Sequence, residues 1–103
     1  MKMLTITITA GSAKGQTFFV APNSSVMIGR DEKADIRLEH DSHISRKHAI
    51  ISLSEDGVAY IIDLNSTNGT LLDKYPVKGK IPIKDGDVIT IGWTRMKIMV
   101  IDQ

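Results

Sequence analysis

Leu4, Ile6 and Ile8 alternate with Thr5, Thr7 and Thr9 near the start of the chain, and Ala49, Ile51 and Leu53 alternate with Ile50 and Ser52 near its middle. A period of two puts successive side chains on opposite faces, so each segment predicts a strand with one face turned to a core. Residues 16–20, 26–28, 34–38, 58–64, 88–91 and 96–101 are rich in β-branched residues and read as further strands. Turn dipeptides punctuate these runs: Gly11-Ser12, Pro22-Asn23, Asp56-Gly57, Asn68-Gly69 and Asp85-Gly86. No stretch keeps a helical period with caps. The pattern predicts an all-β fold, an antiparallel β-sandwich of two twisted sheets, with loops at one end as the candidate functional surface.

Composition narrows this picture. A chain of 103 residues fits one domain, expected to occupy residues 1–103. Hydrophobic residues at 42% and charged residues at 24% suit a packed soluble core. A formal net charge of +1 supplies no global field for steering to nucleic acid or an anionic bilayer, which disfavours both as partners. Without cysteine, neither a disulfide framework nor a thiolate metal site is available, and a reducing compartment fits. The opening alternation differs from the continuous apolar run of a signal peptide or membrane span, so a cytoplasmic location is expected.

Three polar segments stand out from the strands: Ile28-Gly29-Arg30, Ser45-Arg46-Lys47-His48 and Asn65-Ser66-Thr67-Asn68-Gly69-Thr70. Arg30 has a planar guanidinium with forked donors and a permanent charge, suited to phosphate oxygens. Ser45 can donate a hydroxyl to the same anion, and Arg46 can add a backbone amide or further charge. Gly29 would let the backbone turn sharply at a strand end. Lys47 reads as part of a solvated charge run.

In this order the segments resemble the forkhead-associated (FHA) domain, whose pattern is Gly-Arg, then Ser-x-x-His, then Asn-Gly within one β-sandwich. The resemblance covers nearly all of the chain. It implies an FHA/SMAD-like fold and a non-enzymatic module that needs no cofactor. Such a module binds a phosphothreonine-containing protein or peptide, a Ser/Thr kinase or its substrate, through apical loops. It assigns the phosphopeptide to Arg30, Ser45, Arg46, Thr67, Asn68 and His43, with Gly29, His48 and Gly69 as structural support. Thr67 would shape the cavity for the threonine methyl, and Asn68 would bracket the ligand's main chain. His43, a His where some relatives carry Arg, would read a ligand side chain beyond the phosphothreonine.

Rival readings are weighed against this one. Ser45, His48 and Asp63 are the residue types of a hydrolase triad, but three-residue spacing on an extended segment separates Ser45 from His48 by about 10 Å. No Gly-x-Ser-x-Gly elbow is present. His40, His43 and His48, with Asp41, could offer imidazole and carboxylate ligands to a metal, yet they lie in a loop without evident support. Ser45 and Thr67 could be turn hydroxyls and Asn68 a plain hairpin residue. A scaffold with a vestigial pocket is the remaining alternative, and the intact motif argues against it.

Overall fold

The computed structural model describes residues 1–102; Gln103, the last residue of the expected domain, lies outside them. Eleven strands follow in chain order: β1 (Lys2–Ala10), β2 (Thr17–Val20), β3 (Ser24–Gly29), β4 (Ile36–Arg37), β5 (Ala49–Leu53), β6 (Ala59–Asp63), β7 (Leu71–Leu72), β8 (Tyr75–Pro76), β9 (Lys80–Ile83), β10 (Val88–Ile91) and β11 (Thr94–Asp102). They form one sheet in the order β2-β1-β11-β10-β7-β8 and a second in the order β4-β3-β5-β6-β9. Between the sheets lie the alternating residues singled out from sequence: Leu4, Ile6 and Ile8 from β1, and Ala49, Ile51 and Leu53 from β5, all buried. Ile89, Ile91, Met96 and Ile98 complete the first sheet's inner face, and Ile28 and Ile61 the second's. Ile side chains dominate because a branched Cβ packs well on a pleated surface.

The structure departs from the expected strands in three ways. The segment 34–38 contributes only Ile36–Arg37, and this strand runs parallel to β3, pairing Ile36 with Ile28 and Arg37 with Gly29. The second sheet is therefore mixed, not purely antiparallel. Strands β7, β8 and β9 were not anticipated, the first two because a two-residue strand carries no period. In β9, Pro82 interrupts the apolar alternation of Ile81 and Ile83, and the strand sits at a sheet edge, where a missing N–H is tolerated.

Register decides what reaches the loop end. Ile28 pairs with Ala49, and Ala49 with Asp63, so these three share a row at the end of β3 that leads into Arg30. The opposite end of the same sheet carries the row Ser24, Leu53, Ala59 and Ile83. Among the described residues no helix is long and apolar enough to cross a membrane.

Candidate functional site

Three loops meet beyond the Ile28–Ala49–Asp63 row: the one after β3, the one before β5 and the one after β6. They are joined by hydrogen bonds from backbone and side chain. Arg30 N–H donates to the Ser45 carbonyl at 3.2 Å and Asp31 N–H to the Arg46 carbonyl at 3.1 Å. His48 N–H donates to the Ile28 carbonyl at 2.9 Å, so the residue ends one loop and starts the next strand.

Gly29 serves a purpose other than the expected turn. It closes β3 with no left-handed torsion, but a Cβ there would lie 1.9 Å from the Arg46 carbonyl oxygen. Only a residue without a side chain lets the Ser45–Arg46 backbone approach β3 this closely.

His48 is fully buried, and each ring nitrogen has a partner. Nδ1 accepts the Ser45 N–H at 3.0 Å, and Nε2 stands 2.8 Å from the Gly69 carbonyl. A carbonyl can only accept and an amide N–H can only donate, so the ring is the neutral tautomer with its proton on Nε2. One imidazole thus links the loop before β5 to the loop after β6. Gly69, with φ +85°, makes the turn that presents this carbonyl. The same bonds remove the hydrolase arrangement: His48 takes the Ser45 amide in place of its hydroxyl, and no lone pair remains to act as base.

The Ser45 hydroxyl oxygen accepts the Thr67 N–H at 3.0 Å, leaving its own proton free to donate outward. Arg30 directs its Nε–H to the Ile44 carbonyl, so its two terminal NH₂ groups remain for an external acceptor. Arg46 is exposed beside it. Asn68 donates from Nδ2 to the His43 carbonyl at 2.9 Å, which leaves its carbonyl oxygen and a second N–H for a ligand. Thr67 is exposed at the rim.

Several contributors were not singled out from sequence. Asp63 was considered only as a triad orienter. Its carboxylate instead accepts the Ser66 N–H at 3.1 Å, the Ser66 hydroxyl at 2.6 Å and the Thr70 hydroxyl at 2.8 Å. Ser66 Oγ in turn accepts the Gly69 N–H at 3.0 Å. Burial alone would raise the Asp63 pKa, but the hydrogen bonds from Ser66 and Thr70 hold it below the ordinary carboxylate value. Asp63 therefore stays ionised and fixes the shape of the loop that carries Thr67 and Asn68.

His43 and Trp93 form a second feature. Their rings meet edge to face with centroids 5.2 Å apart, and the indole N–H donates to His43 Nδ1. Asp41, buried, accepts N–H bonds from His43 at 3.0 Å and from Trp93 at 2.6 Å, so one carboxylate fixes both residues. With Asn68, Leu71 and Thr90 they line a concavity of about 300 Å³. Trp93 is 70% exposed, and as the chain's one tryptophan, following a turn glycine, it was the sequence signal available for this wall. His40 pairs instead with Glu39, and among the described residues no three His, Asp or Glu side chains converge as a metal site.

The arrangement of an arginine, a serine and an Asn-Gly turn on three stitched loops coincides with a family match: residues 26–92 match the FHA domain. The chain belongs to the FHA family. FHA domains are phosphothreonine-dependent interaction modules and not enzymes. The domain is 39% identical over 88 residues to the FHA domain-containing protein FhaA of Mycobacterium tuberculosis, covering 84% of this chain and 16% of FhaA. It is 33% identical over 91 residues to the FHA domain-containing protein At4g14490 of Arabidopsis thaliana, covering 86% of this chain and 23% of that protein. The chain thus spans less than a quarter of either relative. A structure of an FHA domain solved in a study of phosphothreonine-dependent interactions superposes with a TM-score of 0.85 at 35% identity, over 98% of this chain and 99% of that one. The solution structure of an Arabidopsis thaliana FHA domain superposes with a TM-score of 0.91 at 29% identity, over 100% of this chain and 89% of the other. The FHA domain of FhaA, solved with the intracellular domain of Rv3910, is 35% identical with a TM-score of 0.79, over 92% of this chain and 98% of that one.

Proposed function

We propose that residues 1–103 form one phosphopeptide-binding domain in which Arg30, Ser45 and Arg46 hold the phosphate of a phosphothreonine. The observation that carries this assignment is the division of donors at Ser45 and Arg30. The Ser45 oxygen accepts the Thr67 amide and the Arg30 Nε donates to the Ile44 carbonyl, so both side chains are held while one hydroxyl proton and two terminal NH₂ groups stay unspent. A phosphate carrying about −1.5 to −2 charge accepts from such donors far better than a neutral hydroxyl does. Each charge-assisted bond contributes about 1.5 to 3 kcal/mol net, enough for specific and reversible binding after the peptide is ordered.

In the same reading Thr67 shapes the cavity for the threonine methyl, and Asn68 meets the peptide's main chain with its remaining N–H and its carbonyl oxygen. His43 reads a ligand side chain beyond the phosphothreonine, and the concavity it shares with Leu71 and Trp93 is where that side chain would lie. Its walls are part apolar, so shape and apolar contact contribute beside polar bonding. The partner is a Ser/Thr kinase or a kinase substrate, met in the cytoplasm, where such kinases act.

The test is calorimetric titration of wild type and Arg30→Ala with degenerate phosphothreonine, phosphoserine and unphosphorylated peptide pools. Binding restricted to phosphothreonine and lost in Arg30→Ala is the expected result. Equal binding of the unphosphorylated pool, or undiminished binding by Arg30→Ala, would sink the assignment.

A further inference from the structure

Arg37 was not singled out from sequence, and the reading above gives it no task. The parallel pairing of Arg37 with Gly29 brings it beside the strand end from which Arg30 projects, and the Leu38 N–H to Gly29 carbonyl bond at 2.9 Å holds it there. Its Nε–H donates to the Arg30 carbonyl at 3.5 Å, and one terminal nitrogen lies 3.3 Å from Glu39. Arg30, Arg37 and Arg46, with Asp31 and Glu32, line one open cleft of about 500 Å³.

Counting donors shows that this cleft holds more than a single phosphate needs. A guanidinium has five N–H donors. Arg30 spends one on Ile44, Arg37 spends one on Arg30 and directs another at Glu39, and Arg46 spends none within the described residues. About a dozen donors remain, against three phosphate oxygens that accept about two bonds each. The two carboxylates of the cleft do not consume the surplus, because neither Asp31 nor Glu32 lies within ion-pair distance of a guanidinium among the described residues. Asp31 accepts the Lys33 N–H at 2.9 Å instead. That bond, and behind it the charges of Arg46, Lys47 and Lys33, lower its pKa against a desolvation effect that raises it.

We propose that Arg37, which lines this cleft with Arg30 and Arg46, binds a second anionic group of the same ligand: a carboxylate or a phosphoryl group on a residue near the phosphothreonine. The inference rests on the phosphothreonine reading and adds to it a preferred class of ligand, segments in which the modified threonine has an acidic or phosphorylated neighbour. A fork of rigid donors suits either group, and a doubly accepted carboxylate or phosphoryl would replace water on the unspent Arg37 and Arg46 donors.

The test uses a phosphothreonine peptide of otherwise neutral sequence, and two series in which one glutamate or one phosphoserine is walked along the positions on either side. Affinities for wild type and Arg37→Gln are measured by fluorescence anisotropy, and the quantity read is the ratio of each doubly charged peptide to the parent within the same protein. In wild type at least one position is expected to tighten binding about tenfold, the effect of a single charge-assisted bond. In Arg37→Gln that ratio falls towards one. A gain in the phosphoserine series alone assigns the cleft to a second phosphoryl group, and gains in both series assign it to anions generally. No gain at any position, or a gain undiminished in Arg37→Gln, overturns the inference. Failure of the parent peptide itself to bind wild type overturns the phosphothreonine reading instead, so the two failures are distinguishable.

Discussion

The carbonyl oxygen of Arg46 occupies the space that a Cβ on Gly29 would need, at a separation of 1.9 Å. Strand β3 and the loop before β5 are in direct backbone contact at this point, and the Arg30–Ser45 and Asp31–Arg46 bonds that follow it depend on that contact. The position of Ser45 and Arg46, both proposed to hold the phosphate, therefore depends on a residue with no side chain.

Gly29→Ala is expected to push the Ser45–Arg46 segment off β3. Both colliding groups are backbone, so relaxation is costly, and a loss of about 1 to 3 kcal/mol of stability is expected from overpacking. Thermal denaturation would register this, and titration with a phosphothreonine peptide should show weaker binding in the protein that still folds. A variant as stable as wild type with unchanged binding would refute the steric account.

His48→Ala should lower stability and binding together. The Ser45 amide and the Gly69 carbonyl lose their partners, at about 1 to 3 kcal/mol for each buried group left unsatisfied. Both loops it joins carry residues proposed to contact the ligand. Measured by urea denaturation and calorimetry, a stability loss without any binding loss would mean the loops are held by other bonds.

Arg30→Ala is expected to weaken phosphopeptide binding by about 2 to 5 kcal/mol, since a charged partner is removed from a bonded anion. Lys47→Ala is expected to change it little, because that side chain is exposed and its one interaction in these loops is a weak coulombic effect on Asp31. Comparable losses in the two variants would imply diffuse electrostatic attraction in place of a defined pocket.

Asp63 predicts an acid-sensitive loop. Its pKa is lower folded than the ordinary 3.8, so its contribution is complete above that value and is lost as pH falls through the folded value. Asp63→Asn should flatten the fall in stability that wild type shows at acidic pH and should reduce stability near neutrality. Chemical denaturation over a pH series checks both, and parallel curves for the two proteins would remove Asp63 from the account.

Trp93 should report ligand binding through its fluorescence, because it is the chain's one tryptophan and lines the concavity beside His43. Trp93→Ala should keep the requirement for phosphate and lose discrimination among ligand side chains, read by a positional peptide library. An unchanged library profile would exclude the concavity from recognition.

What the sequence disclosed depended on how far each signal reached along the chain. The buried alternation of β1 and β5 was legible because period two is a local property, and Arg30, Ser45, His48 and Asn68 were legible because an ordered motif carries them. Gly29 was legible as a necessary glycine but not for its reason, since the oxygen that excludes a Cβ belongs to Arg46, far along the chain. Asp63 looked like the end of a strand or a triad member until its register with Ala49 placed it under the Ser66–Gly69 turn. Arg37 gave no signal at all, because its neighbourhood is created by a parallel pairing that no alternation announces. Trp93 and Leu71 reach the site from strands or turns outside the motif.

The pairing of Lys2 with Asp102 places the two ends of the described chain side by side, and Met1, Lys2 and Asp102 share a concavity with Pro22, Asn23 and Gly57, next to where β3 begins. The loops of the candidate site lie where β3 ends. A label attached at Met1 would therefore lie at the pole remote from Arg30 and Arg46 and leave the loops of the candidate site open.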